Sequence, residues 1–324
     1  MSPNPKISVP LIPVFIISGA TATGKSSVAF KLAQRLGACI LSADSMQVYR
    51  GMEIGTAQPS EAEQALIPNH LVGCVEPNDD YNVARFLADS TKILQQEWSA
   101  KRPVIVCGGT GLFLKHLIEG LADVAPMDGK LRQELEAWLA AEGLQALRAE
   151  LRRVDPQREA QILANDPVRV VRALEIFRAT GITMTQWHQL DQQQRTLRPH
   201  DYIVLSRPKE ILNERIHQRI DQMLQQGWLS EVEQLLTKYP STTRCFRALG
   251  YSQLIDVVQG DRPLAEARDE IKTKTRQFAK RQRTWFRGIK KAHLVDLETA
   301  DTEELLKELE ARYWKIVQSG SCPP

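Results

Sequence analysis

The chain has 324 residues, 43% of them hydrophobic and 25% charged, with a net charge of +3. That is enough chain for a full core and a second, smaller domain, with the composition of an ordinary soluble globular protein. No run approaches the roughly 18 apolar residues of a membrane span. The five cysteines are scattered without C-x-x-C spacing and no secretory signal is present, which points to a reducing, cytoplasmic compartment and no zinc site.

Residues 1–11 are Pro-rich and expected to be disordered. The next segment, 12–27, reads I-P-V-F-I-I-S-G-A-T-A-T-G-K-S-S. A short apolar strand, 14–18, feeds Gly19-Ala20-Thr21-Ala22-Thr23-Gly24-Lys25-Ser26, a full match to G-x-x-x-x-G-K-[ST]. The glycines let the chain turn tightly, so that backbone N–H groups point inward at a phosphate. Lys25 adds a positive charge and Ser26 offers a hydroxyl to a bound Mg²⁺. A helix over 25–36, patterned by Val28, Leu32 and Leu36, presents its positive end to the same anion. A glycine-rich turn that binds nothing would not require this strand–loop–helix context, so the segment predicts a site for a di- or triphosphate.

Further strands are predicted at 39–42, 71–75 and 104–107, alternating with helices at 60–66, 83–101 and 111–119. Such alternation predicts a parallel sheet covered on both faces, with ligands at the carboxyl ends of its strands. The character changes near Gly120. Residues 121–199 carry leucines at helical spacing over 131–141, 144–154, 157–163 and 167–179, and 189–198 reads as a polar, mobile connection. A strand returns at 202–206. Helical patterns follow at 209–226, 229–236, 251–258 and 264–290, then a last strand at 293–297 and a charged helix at 302–317. The expected fold is therefore α/β: a P-loop-containing parallel sheet flanked by helices, with an all-helical insertion domain. Residues 12–120 and 200–298 form the core, 121–199 the insertion, and 299–324 a C-terminal helix and tail. There is no internal repeat.

The charge is uneven. Ten Lys/Arg lie between Arg268 and Lys291 against Asp269 and Glu270. Such a run suggests a nucleic-acid partner, although alone it more often describes a solvated helix face. In the same helix Phe278, Trp285 and Phe286, spaced at seven and eight, share one face and read as core packing.

P-loop NTPases carry a second, acidic Mg²⁺ ligand at the end of another strand. Here the strand at 104–107 ends in Gly108-Gly109-Thr110-Gly111, with no carboxylate. The acid is instead Asp44, just past the second strand and on the P-loop edge, where it can bind Mg²⁺ or act as a general base. Away from a phosphate site, such a residue is more often a helix N-cap or turn aspartate.

The run from Asp44 through Ser45, Met46 and Gln47 to Pro59 resembles the signature of tRNA dimethylallyltransferases, also called tRNA isopentenyltransferases. Gly108–Phe113, the block Asn165-Asp166-Pro167-Val168-Arg169-Val170-Val171-Arg172, Arg247-Ala248-Leu249-Gly250-Tyr251 and the basic stretch Thr275–Arg287 resemble it too, in order, over roughly residues 12–297. The resemblance implies transfer of the dimethylallyl group of dimethylallyl diphosphate to N6 of the adenosine 3′ of the tRNA anticodon (position 37), with Mg²⁺ required. Asp44 would be the general base. Thr110 would sit by the reacting centre, and Arg247 would join the P-loop residues and Ser26-bound Mg²⁺ in stabilising diphosphate. Positions matching family residues that contact tRNA are Asp44–Gln47, Thr110, Arg132, Val168–Arg172, Arg247, Gly250 and Tyr251, with Arg276, Lys280 and Arg281 on the basic helix. The partner would be the tRNA anticodon stem-loop; no membrane and no obligate protein partner is expected. Gly-Ala-Thr stands where Gly-Pro-Thr is commoner in the family, and the absence of a Cys/His zinc-finger extension resembles the shorter bacterial form. An adenylate isopentenyltransferase acting on free nucleotide, an NTP-dependent P-loop kinase, and an RNA-binding protein with a vestigial P-loop remain the alternatives.

Overall fold

The computed structural model describes residues 12–120, 129–194 and 198–319. Six strands, β1 (Val14–Gly19), β2 (Cys39–Ser42), β3 (Asn69–His70), β4 (Val104–Gly108), β5 (His200–Ser206) and β6 (His293–Asp296), form one sheet in the order β3-β2-β4-β1-β5-β6. Every pairing is parallel. Around it in chain order lie α1 (Lys25–Leu36), α2 (Glu61–Leu66), α3 (Val83–Ser99) and α4 (Gly111–Glu119). A helical segment follows: α5 (Gly129–Val154), α6 (Pro156–Gln161), α7 (Pro167–Thr180) and α8 (Met184–Gln194). The chain then returns to the sheet with α9 (Lys209–Gln225), α10 (Trp228–Lys238), a 3₁₀ turn at Arg244–Arg247, α11 (Tyr251–Val258), α12 (Leu264–Arg287) and α13 (Thr302–Ser319).

Alternation along the strands builds two cores. Phe15, Ile17, Ile105 and Ile203 pack with Leu32 of α1 and Leu309 of α13. Val14, Ile16, Val106 and Val204 belong to the opposite core, with Phe86, Phe113, Ile216 and Ile271 from α3, α4, α9 and α12. Burial on both faces is why the strands read as continuous apolar runs. The described residues divide into two compact units, one of residues 12–119 and 198–319, the other of residues 120 and 129–194. The second has its own core of Leu135, Leu147, Leu151, Val170 and Leu174. Gly143, at φ +79°, breaks α5 into the two helices read from the leucine spacing.

Several expectations are corrected. The strand expected at 71–75 does not form, and β3 is Asn69–His70. Leu71 (φ +62°) and Gly73 (φ +54°) turn the chain out of extended geometry, leaving one bridge between Tyr49 and Val75. The polar stretch from 189 continues α8 to Gln194; glutamines are adequate helix formers and need no burial to stay helical. Residues 195–197 and the N-terminal 1–11 lie outside the described residues, as does the tail beyond 319. Phe286 is core, but Phe278 and Trp285 are 40% and 42% exposed. No helix among the described residues is long and apolar enough to cross a membrane.

Candidate active site

The loop after β1 is shaped by what a side chain would strike. A Cβ at Gly19 would lie 2.5 Å from the Leu205 carbonyl oxygen, and Ala22 and Gly24 hold φ of +62° and +103°. The loop is braced from outside. Arg207 Nε donates to the Thr23 carbonyl at 2.8 Å, Arg215 Nε donates to the Ala22 carbonyl at 2.9 Å, and Thr23 Oγ1 donates to the Ala20 carbonyl at 2.9 Å. Tying carbonyls outward turns the opposite edge of the loop, with its N–H groups, toward the site. From α12, Gln282 accepts the Thr21 N–H at 2.8 Å and donates to the Gly109 carbonyl at 3.0 Å, joining the P-loop to the turn after β4.

The loop opens into a cavity of about 610 Å³. Thr21, Ala22, Lys25 and Ser26 of the loop line it, and so do Asp44, Ser45, Met46 and Thr110. A Cβ at Gly108 would meet the Ala43 carbonyl at 2.2 Å, so glycine lets the ends of β2 and β4 touch. There Thr110 Oγ1 accepts the Ser45 N–H at 3.0 Å. Asp44 lies at the carboxyl end of β2, with Oδ1 accepting the Met46 N–H at 2.9 Å, an Asx turn that fixes the carboxylate. Opposite, α9 contributes Ile216, Arg219, Ile220 and Met223. Trp228 and Tyr251 line it as well.

Electrostatics couple Lys25, Asp44 and Arg219. Burial pushes the Lys25 ammonium below its ordinary pKa; nearby Cys107 and Asp44 oppose that, and Arg219 adds to it. Arg219 is likewise lowered by burial, with Asp44 opposing and Arg215 adding. Two cations and one carboxylate thus share a half-enclosed space that is incompletely neutralised, an arrangement suited to a polyanion. Burial also pushes the Cys107 thiol up to about 11, so it stays protonated beside Lys25. The oxygens on this wall, Ser26 Oγ and the Asp44 carboxylate, are hard donors of the kind Mg²⁺ takes.

The IPP transferase family model matches residues 47–289, and an isopentenyl transferase model matches residues 12–67. The tRNA dimethylallyltransferase of Syntrophobacter fumaroxidans is 39% identical over 303 residues, covering 92% of this chain and 87% of that one. That of Rippkaea orientalis is 42% identical, covering 88% and 93%. The chain belongs to the IPP transferase family. Its fold superposes on the tRNA isopentenylpyrophosphate transferase of Bacillus halodurans with a TM-score of 0.69 at 33% identity, covering 96% of this chain and 98% of that one. A eukaryotic dimethylallyltransferase acting on tRNA gives a TM-score of 0.77 at 26% identity, covering 91% and 77%.

Against this family background, the residues read from the sequence separate into groups. Thr21, Ala22, Lys25, Ser26, Asp44, Ser45, Met46, Gln47, Thr110 and Tyr251 line one cavity. Gly19, Ala20, Thr23 and Gly24 shape the P-loop. Gln47 is partly committed to structure, accepting from Ser42 Oγ at 2.9 Å and donating to the Ala57 carbonyl at 2.9 Å. Arg247 is exposed at the end of the 3₁₀ turn and is not among the cavity-lining residues. The guanidinium facing Lys25 and Asp44 is that of Arg219, which the sequence reading missed. Its only signal there is a cation on the apolar stripe of α9. Gln282 was missed as well. On α12, Arg276 donates toward His217 Nε2 at 3.1 Å, Lys280 is exposed, and Arg281 lies over the Phe278 ring at 5.8 Å.

In the helical unit, Val170 and Val171 are core and Val168 is 65% exposed. Arg132 and Arg172 both reach the buried Glu175 carboxylate, at 3.7 and 2.8 Å, and Arg169 pairs with Asp166 at 3.4 Å. The fold also gathers Cys39, His70 and Glu97 with donor atoms within 4.8 Å, which no sequence spacing signalled. Glu97 pairs with His70 at 3.0 Å and with Arg102 at 3.3 Å, Cys39 Sγ donates to the Pro103 carbonyl at 3.6 Å, and burial pushes the Cys39 thiol up to about 12.

Proposed function

We propose that the chain transfers the dimethylallyl group of dimethylallyl diphosphate to N6 of the adenosine 3′ of the tRNA anticodon, position 37, releasing diphosphate. One observation carries the reading. A phosphate-binding loop and a fixed carboxylate open into a single cavity whose remaining wall is largely apolar. An isoprenoid diphosphate matches both features, an anionic head for the loop and a hydrocarbon group for the apolar wall. Family membership and the tRNA-acting relatives support RNA as acceptor.

In this reading, the diphosphate rests on the P-loop, with Lys25 and Arg219 neutralising the charge that grows as the C–O bond breaks. Ser26 would hold Mg²⁺ against the diphosphate, supplying further charge neutralisation. The adenine amine attacks C1 of the prenyl group, the new C–N bond forms as the C–O bond breaks, and Asp44 accepts the amine proton, a contribution of about 10²–10⁴-fold. Thr110, bonded to the Ser45 N–H beside Asp44, positions the base. The target base is splayed from its loop to enter the cavity, and exposed Lys280 and Arg281 supply phosphate contacts. The protein acts in the cytoplasm, where its RNA substrate lies.

The test is nucleoside mass spectrometry after incubation with Mg²⁺, dimethylallyl diphosphate and unmodified tRNA, with AMP as a parallel acceptor. Prenylated adenosine from the tRNA supports the reading. Product from AMP alone assigns a free-nucleotide enzyme, and no product from either returns the site to the kinase or RNA-binding alternatives.

A further inference from the structure

The sheet face under α3 carries a second group of ligating side chains, away from the P-loop. Cys39 opens β2, His70 closes the two-residue edge strand β3, and Glu97 stands in the last turn of α3. Their meeting follows from register. His70 pairs with Leu41 across the parallel ladder, and Leu41 shares its core with Cys39, two residues earlier in β2. Paired residues of a ladder, and residues two apart in a strand, project from the same face. Phe86 and Leu94 of α3 pack in that same core, and Glu97 follows Leu94 by one helical turn. A thiol, an imidazole and a carboxylate thereby converge, one donor atom of each lying within 4.8 Å of the others. Extended chain carries β2 from Cys39 to Asp44, which sets the cluster on the order of 15 Å from the reacting carboxylate.

Hydrogen bonding leaves this cluster incomplete. Glu97 is 8% exposed, and its Oε2 is buried without a hydrogen bond, although Arg102 Nη1 stands 3.3 Å away. Its Oε1 meets His70 Nε2 at 3.0 Å. Cys39 is fully buried, and its Sγ reaches the Pro103 carbonyl at 3.6 Å. Bonds of about 2.0–2.3 Å around a tetrahedral Zn²⁺ separate its ligand atoms by about 3.3–3.6 Å. The imidazole–carboxylate pair is already near that length, and a side-chain shift of about 1 Å brings the thiol to it. Charge fits as well. Thiolate and carboxylate together neutralise a divalent ion, and the mixture of sulfur, nitrogen and oxygen selects a borderline metal over Mg²⁺. Arg102 opposes a cation here, but its side chain is 45% exposed and free to turn to solvent. His70 is partly exposed and gives the ion its entry.

We infer that Cys39, His70 and Glu97 form a zinc-type transition-metal site, with three protein ligands and one position left for water. The ion displaces the thiol proton to solvent and joins β2, β3 and the end of α3. The site is structural and stands independently of the transferase reading. It departs from the expectation drawn from the scattered cysteines, because one cysteine takes part and its partners His70 and Glu97 lie 27 residues apart.

The experiment uses the full chain, freed of metal with a chelator and kept reduced. Co²⁺ is titrated as the probe, and the thiolate-to-cobalt charge-transfer band is the readout. Wild-type protein is expected to develop the band, and Zn²⁺ but not Mg²⁺ to abolish it. Cys39→Ser should remove the band, while Cys74→Ser, at an exposed cysteine outside the cluster, keeps it. His70→Ala and Glu97→Gln should each weaken Co²⁺ binding by at least about 100-fold, beyond the cost of losing an outer-shell partner. Arg102→Ala should tighten it a few-fold, which a plain His70–Glu97 hydrogen bond would not produce. Zn²⁺ should raise the Tm of the wild type and leave that of Cys39→Ser unmoved. Glu97→Gln keeps a hydrogen-bonding partner for His70 and so guards against misfolding of the other variants. No band in the wild type overturns the inference. So does a band that survives Cys39→Ser, which would assign the metal to another cysteine, and so does equal affinity in folded wild-type, His70→Ala and Glu97→Gln proteins.

Discussion

Two sides of the cavity are built by opposite strategies. The P-loop side is eight consecutive residues, Gly19 to Ser26, and in the proposed reading it would hold diphosphate through backbone N–H groups, one helix end and one lysine. The Trp228 side is assembled from Gly55, Trp228, Glu231, Gly250 and Tyr251, whose key hydrogen bond from Ile54 to Glu231 spans 177 residues. A phosphate has the same charge and shape in any ligand, so a short, portable loop suffices to hold it. The wall around Trp228 is a packed enclosure, and no single segment can make one.

The sharpest probe of the cavity is Asp44, which interacts with both Lys25 and Arg219. Asp44→Asn should lower kcat by about 10²–10⁴-fold while RNA affinity holds, as measured by single-turnover rates and filter binding. Unchanged turnover would remove Asp44 as the proton acceptor. On the P-loop side, Lys25→Ala should raise the isoprenoid KM by ~10–100-fold, the worth of one charge-assisted hydrogen bond of about 1.5–3 kcal/mol. An effect on the RNA KM instead would place the diphosphate elsewhere.

Around Trp228 the expected damage is to stability. Glu231→Ala leaves the Ile54 and Gly55 N–H groups without an acceptor and should cost about 1–3 kcal/mol in chemical denaturation. Glu231→Gln isolates the charge. Burial raises the Glu231 pKa above its ordinary value, so the contribution of its protonation is fully present below the ordinary carboxylate range. It is lost as pH rises through the raised folded value. Wild-type Tm relative to Glu231→Gln should therefore fall as pH climbs from 4 toward neutrality; a pH-independent difference would show that Glu231 titrates as it does unfolded. The smallest effect is expected outside the cavity. Arg276→Ala should flatten the salt dependence of tRNA binding by about one unit of slope, and an unmoved slope would assign the Arg276–His217 contact to structure alone.

Legibility followed the same division. The predicted bounds of α1 and α4 match the observed helices, because a P-loop and a capped amphipathic stretch carry their instructions locally. Asp44 and Thr110 were readable because each closes a strand at the sheet edge where ligands bind. Arg247 was read as part of the reacting centre from its block, yet the residue is exposed on a 3₁₀ turn, while the guanidinium interacting with Asp44 is that of Arg219. Both are arginines in helical surroundings, and only packing decides which one turns inward. Gln282 gave no signal, since its partners Thr21 and Gly109 lie 261 and 173 residues away. The strand misplaced at 71–75 was apolar enough to look right, and positive φ at Leu71 overrode that pattern.

The sequence by itself determined that this chain carries a P-loop motif, that it does so on a parallel α/β sheet, and that its motif blocks are those of the IPP transferase family. Each of these is written in neighbouring residues, through hydrophobic period, glycine placement and backbone geometry. Only the tertiary structure decided what surrounds the loop: the Arg219 cation, the Gln282 brace, and the tryptophan wedged between two glycines that lines the same cavity. Those features depend on side chains meeting across more than a hundred residues, and such meetings are set by packing, which the order of residues does not display.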